Sequence, residues 1–85
     1  MFEVDLGGTK FRVGFHYCLE RRDTECIIMT DGDVEYSHSL VHCYEKDQFT
    51  RREGRKRALT SALKYHFPRP ERKLFWEAYK KMCKL

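Results

Sequence analysis

Eighty-five residues allow one small domain, read here as a single unit spanning 1–85, with room for one modest core. Apolar residues make up 41% and aromatic residues 14%, so large rings must close much of that core, while a charged fraction of 35% makes the surface strongly ionic. The longest wholly apolar run, Cys26 to Met29, is far too short to span a bilayer, which excludes a transmembrane helix, and the net charge of +4 favours acidic partners over basic ones.

In chain order, Phe2-Glu3-Val4-Asp5-Leu6 alternates apolar and acidic residues as a half-buried strand does. Gly7-Gly8 is a hairpin turn signal. Phe11, Val13, Phe15 and Tyr17 then alternate with Arg12, Gly14, His16 and Cys18, which predicts a second strand, with Gly14 a candidate bulge. Arg21-Arg22-Asp23 reads as the next turn. Cys26-Ile27-Ile28-Met29 is β-branched enough for a central strand. Asp31-Gly32 is another hairpin signal, and Val34, Tyr36, His38 and Leu40 alternate with Glu35, Ser37 and Ser39 in a fourth strand.

Thr50-x-x-Glu53 is a capping box, with Asp47 a rival cap three residues earlier. Ala58, Leu59, Ala62, Leu63 and His66 follow at helical spacing until Pro68 and Pro70 end the pattern. Pro70 suits the first turn of a second helix, whose apolar stripe is Leu74, Phe75, Ala78, Tyr79, Met82 and Cys83. Trp76 falls off the centre of that stripe, at its rim. The expected architecture is α+β: a four-stranded antiparallel meander with two C-terminal helices packed on one face. The expected core is Val4, Leu6, Phe11, Val13, Phe15, Ile27, Leu59, Leu63, Phe67, Leu74, Phe75 and Tyr79.

Charge is divided between the halves. Residues 1–47 carry ten acids and five bases, and residues 48–85 carry three acids and twelve bases. Arg51, Arg52, Arg55, Lys56 and Arg57 crowd the start of the first helix. A helix N-terminus already attracts anions, so cations there are costly unless an anion or a carboxylate offsets them. At about 100° per residue, Arg51 and Arg55 extend the buried stripe itself. Two readings follow: these arginines pair with acids of the strand half, or they form an anion-recognition surface. On the second reading the contact residues are Arg51, Arg52, Arg55, Lys56 and Arg57, with Phe49 and Trp76 as flanking rings.

The other chemistry-bearing residues are weaker signals. His16, Cys18, His38, His42 and Cys43 offer only His-x-Cys and His-Cys spacings and no Cys-x-x-Cys, so no metal or other cofactor is expected. No nucleophile–base–oxyanion constellation, Walker A loop or paired-carboxylate signature occurs, which argues against an enzyme. The opening residues show no signal-peptide pattern, so the four cysteines are read as reduced thiols of a cytoplasmic protein, with Cys26, Cys43 and Cys83 as small core residues.

Two resemblances bear on function. Residues 4–14, Val4-Asp5-Leu6-Gly7-Gly8-Thr9-Lys10-Phe11-Arg12-Val13-Gly14, resemble the phosphate-loop hairpin of sugar kinases in the actin/hexokinase superfamily, where the Gly-Gly-Thr turn approaches nucleotide phosphates. That family needs two large lobes, a second loop and a catalytic aspartate across a cleft, which eighty-five residues do not supply, so the hairpin is kept and the kinase rejected.

The second covers roughly the C-terminal half. Asp47-Gln48-Phe49-Thr50-Arg51-Arg52-Glu53-Gly54-Arg55-Lys56-Arg57-Ala58-Leu59, followed by Arg72 and Phe75-Trp76-Glu77-Ala78-Tyr79, is similar to short accessory proteins of tailed phages and prophages that carry an Asp-x-Phe-x-Arg-x-x-Gly-Arg-x-x-Ala-Leu run and end near an aromatic-Trp-x-x-Tyr helix. The likeness implies a viral protein acting in the host cytoplasm, of the kind that blocks host defence, CRISPR effectors included, by occupying a working surface. Its partner would be a host protein or protein–nucleic-acid complex with an acidic surface. The alternative is direct binding of nucleic acid or of a nucleotide phosphate through the same arginines.

Overall fold

The computed structural model describes residues 1–32, 34–43 and 50–83. Four strands, β1 (Phe2–Leu6), β2 (Thr9–Cys18), β3 (Asp23–Thr30) and β4 (Val34–His42), pair in sequence order as an antiparallel meander. Two helices follow, α1 (Arg51–Lys64) and α2 (Arg69–Cys83), and the domain is α+β as the sequence predicts.

The first hairpin is as tight as its sequence allows. Leu6 pairs with Thr9, and Gly7 and Gly8 both take positive φ, 58° and 92°. That conformation matches the strand twist and strains any residue with a Cβ. Asp5 Oδ1 accepts the Gly8 N–H at 3.1 Å, which holds the turn closed. Gly14 sits in regular pairing opposite Ile27, so it marks no bulge. The irregularity lies in β4, where Ser37 pairs with Ile28 and Glu35 with Met29, leaving Tyr36 unpaired. The extra residue carries the Tyr36 ring onto Phe11, Phe67 and His66, at centroid distances of 5.3, 5.2 and 5.9 Å.

Both helices cover the same face of the sheet. α1 lies on β3 and β4, and α2 lies on β1. The core between the layers holds Phe2, Val4, Phe11, Val13, Cys26, Ile28, Ala58, Leu59, Ala62, Leu63, Phe67, Phe75 and Tyr79. Aromatic rings dominate its α2 side: Phe75 lies 4.7 Å from Phe67 and 6.0 Å from Phe11, and Tyr79 packs on Phe2 and Phe15.

Six core expectations are corrected. Ile28, not Ile27, points into the core, because β3 buries Thr24, Cys26 and Ile28 on one face. Leu74 is 44% exposed, because the line through Phe75 and Tyr79 faces the sheet and Leu74 lies beside it. Leu6 and Phe15 are only partly buried. Cys83 is exposed and Cys43 half-buried, so among the cysteines only Cys26 is a core residue.

β4 faces opposite to its hydrophobic pattern. Val34 and Leu40 are exposed, while Ser37 is buried and donates to the Ala62 carbonyl at 2.6 Å. Ser39 donates to the Ala58 carbonyl at 2.5 Å. Small residues on both elements let α1 approach β4 closely, and the hydroxyls use lone pairs that helix carbonyls have to spare.

α1 begins where the capping box places it: Thr50 is extended, and its hydroxyl accepts the Glu53 N–H at 3.2 Å. The rival cap Asp47 lies outside the described residues. The helix ends at Lys64, so His66 is not part of its stripe.

Candidate cationic site

The first turns of α1 present cations in all directions, and their settings differ. Arg51 and Arg55 continue the line of Ala58, Leu59, Ala62 and Leu63, and they do so past the end of the core. Arg55 donates through a terminal guanidinium nitrogen to the Tyr17 hydroxyl at 3.2 Å and through Nε to the Tyr79 hydroxyl at 3.4 Å. The Arg51 guanidinium sits over the Tyr17 ring, 5.1 Å from its centroid. Neither arginine makes an ion pair with a described carboxylate, so pairing with acids of the strand half is not what holds them.

The consequence is electrostatic. Tyrosine hydroxyls and rings are neutral, so they orient the two guanidinium groups without cancelling their charge. The Tyr17 hydroxyl, and after it the Tyr79 hydroxyl, pushes the pKa of Arg55 further up. Burial raises the pKa of Tyr79 and keeps its phenol protonated. One tyrosine therefore serves two cations at the positive end of the helix dipole.

The remaining predicted residues are not gathered at that point. Arg52 is exposed. Lys56 and Arg57 are exposed and border a shallow hollow that also includes Glu53 and His42. Phe49 lies outside the described residues. Trp76 is half-buried against the core rim and makes an edge contact with Tyr79 at 5.6 Å, so Tyr79 connects it to Arg55. It does not stand among the α1 cations; it lines a groove of about 810 Å³ between the helices, with Leu63 on the α1 wall and Arg69, Arg72, Lys73 and Lys80 on its own helix.

Sequence reasoning missed two parts of this arrangement. Tyr17 and Tyr79 fall on apolar stripes, and nothing in their spacing marks them as arginine partners. The groove did carry a signal: Arg69, Arg72, Lys73, Trp76 and Lys80 recur at i, i+3, i+4, i+7 and i+11, a single helical stripe centred on a ring.

The open face of the sheet has its own polar order. His38 Nε2 lies 2.7 Å from Glu25 and His42 Nδ1 lies 2.7 Å from Asp23, two cross-strand pairs that tie β4 to β3. Among the described residues no cluster of three His, Cys, Asp or Glu side chains could hold a metal. Also among them, no helix is long and apolar enough to cross a membrane. Beside the β2–β3 turn, a hydrogen bond from Arg21 lowers the pKa of Cys18, whereas burial pushes the Cys26 thiol up to about 12. Thiolate, not thiol, is what alkylating reagents attack. Iodoacetamide at mildly alkaline pH is therefore expected to modify Cys18 first and leave Cys26 intact until the protein unfolds, as read by mass spectrometry. Cys26 reacting in the folded protein as fast as exposed Cys83 would contradict the packing of β3. Because the folded thiol stays neutral above the ordinary value of 9.0, Cys26 contributes stability that declines as pH rises from about 9 to about 12.

No protein-family model, curated protein or solved structure matches this chain.

Proposed function

We propose that this is a non-enzymatic binding protein, a phage-type accessory protein that lays the cationic start of α1 on an acidic working surface of a host protein–nucleic-acid machine. One observation carries the binding role: Arg51 and Arg55 are held on Tyr17 and Tyr79, and no described carboxylate pairs with either. Fixed guanidinium groups recognise carboxylates or phosphates with little ordering cost. Arg52, Lys56 and Arg57 stand exposed on other sides of the same helix start, so the cations are clustered in sequence rather than strung along a track, which suits a patch of acids on a protein better than a nucleic-acid backbone that must be followed over length. The phage origin, the host cytoplasm as its place of action and a role against host defence rest on the likeness of residues 47–59 and 75–79 to phage accessory proteins.

The test is retention of a host protein from nuclease-treated extract by the immobilised wild-type chain and by the triple variant Arg52→Glu, Lys56→Glu, Arg57→Glu. All three side chains are exposed, so the variant is expected to melt within about 0.5 kcal/mol of wild type. The expected result is one acidic protein held by the wild type and lost at least about tenfold in the variant, since each reversed charge at an interface costs on the order of 1 kcal/mol or more. Equal retention by the variant, retention that vanishes with nuclease, or retention of nothing would overturn the proposal.

A further inference from the structure

We propose that the groove between α1 and α2 is a second binding surface, for single-stranded nucleic acid, in which Trp76 stacks a base and Arg69, Arg72, Lys73 and Lys80 hold phosphates. The groove exists because the two helices rest on different strands, α1 on β3 and β4 and α2 on β1. Its volume, about 810 Å³, is in the range of sites that enclose a small ligand, and its lining includes four cations and no acid. Glu71 and Glu77 lie off this stripe of α2.

Two details select the occupant. Trp76 is held by its edge contact with Tyr79, 5.6 Å away at an interplanar angle of 89°, so its plane is set before any ligand arrives. A flat, pre-set indole among cations is what an unpaired base needs; an acidic peptide would use the cations and leave the ring idle, and a duplex hides its base faces. Arg72 supplies the second detail. Its Nε is buried and lacks a hydrogen-bond partner among the described residues, and the side chain lines the groove. A buried donor without an acceptor is a costly arrangement, and a phosphate in the groove would relieve it by drawing the guanidinium outward into contact.

Trp76 is the chain's sole tryptophan, so its emission reports on this groove directly. The probe is an oligothymidylate of about twelve nucleotides, within the site sizes such surfaces cover. Quenching of Trp76 is expected, with affinity falling about 50-fold between about 50 and about 200 mM salt, as roughly four phosphate contacts require. The double variant Lys73→Ala, Lys80→Ala touches only exposed side chains and should roughly halve the salt slope with its melting temperature unchanged. The proposal is overturned if the oligonucleotide fails to bind at the lower salt, binds without quenching, or shows the same slope in the double variant. It is equally overturned if the matching duplex or a poly-glutamate peptide quenches with the same affinity.

Discussion

Replacing Phe75 by alanine is expected to destabilise the fold by about 3–5 kcal/mol. Phe75 is fully buried and meets Phe67 at 4.7 Å and Phe11 at 6.0 Å, so its ring joins α2, the α1–α2 connection and β2. A domain of this length holds roughly 4–13 kcal/mol in total, so the substitution removes a large share of it. Thermal melting followed by circular dichroism should show a fall of about 15 °C or more. The adjacent Leu74→Ala is the control, because Leu74 is 44% exposed and its truncation should cost less than about 1 kcal/mol. Equal losses at the two positions would mean that α2 meets the sheet through a different face.

The second large effect is at Gly54. In an isolated helix, alanine would improve on glycine by about 1 kcal/mol. Here a Cβ at position 54 would run into Thr24 Oγ1 and stand only 3.0 Å from Thr24 Cβ. Thr24 is 1% exposed and cannot retreat, and turning its hydroxyl away leaves the Cβ contact in place. Overpacking of this kind costs about 1–3 kcal/mol, so Gly54→Ala should be destabilising despite its better propensity. The start of α1 would be levered off β3, drawing Arg55 away from Tyr17. Adding Thr24→Ala should recover part of the loss. A Gly54→Ala variant more stable than wild type would show that α1 stands clear of the sheet. Gly54 thus connects fold and site: the missing side chain admits α1 to the sheet, and the neighbouring arginine reaches its tyrosines as a result.

These two residues also show what could be read in advance. The hairpins, the Thr50 cap and the positions of both helices follow from local signals, because turn glycines and caps act on neighbours in sequence. The arginines at 51 and 55 were legible as an extension of the buried stripe for the same reason. Their partners were not, since Tyr17 is 38 residues from Arg55 and Tyr79 is 24 residues away. Alternation failed where one face of the sheet stays open. Ile27 and Ile28 are equally apolar neighbours, and only the packing of Thr24 and Cys26 against α1 decides between them. In β4, the apolar alternation runs through Leu40, but the close approach of Ala58 and Ala62 selects Ser37 and Ser39 for the covered face. The groove stripe on α2 takes its meaning from the spacing between two helices that share few local signals.

The layered order of the chain has one more consequence. The strands hold most of the acids and the helices most of the bases, so the two faces of the molecule differ in sign, with net −5 over residues 1–47 and net +9 over residues 48–85. A body so polarised carries a large dipole moment, and the field of a polyanion turns it during diffusion. Productive encounters then begin with the helical side foremost, before any contact forms. Added salt should slow arrival far more than it hastens departure, giving the molecule a sense of direction that its modest total charge conceals.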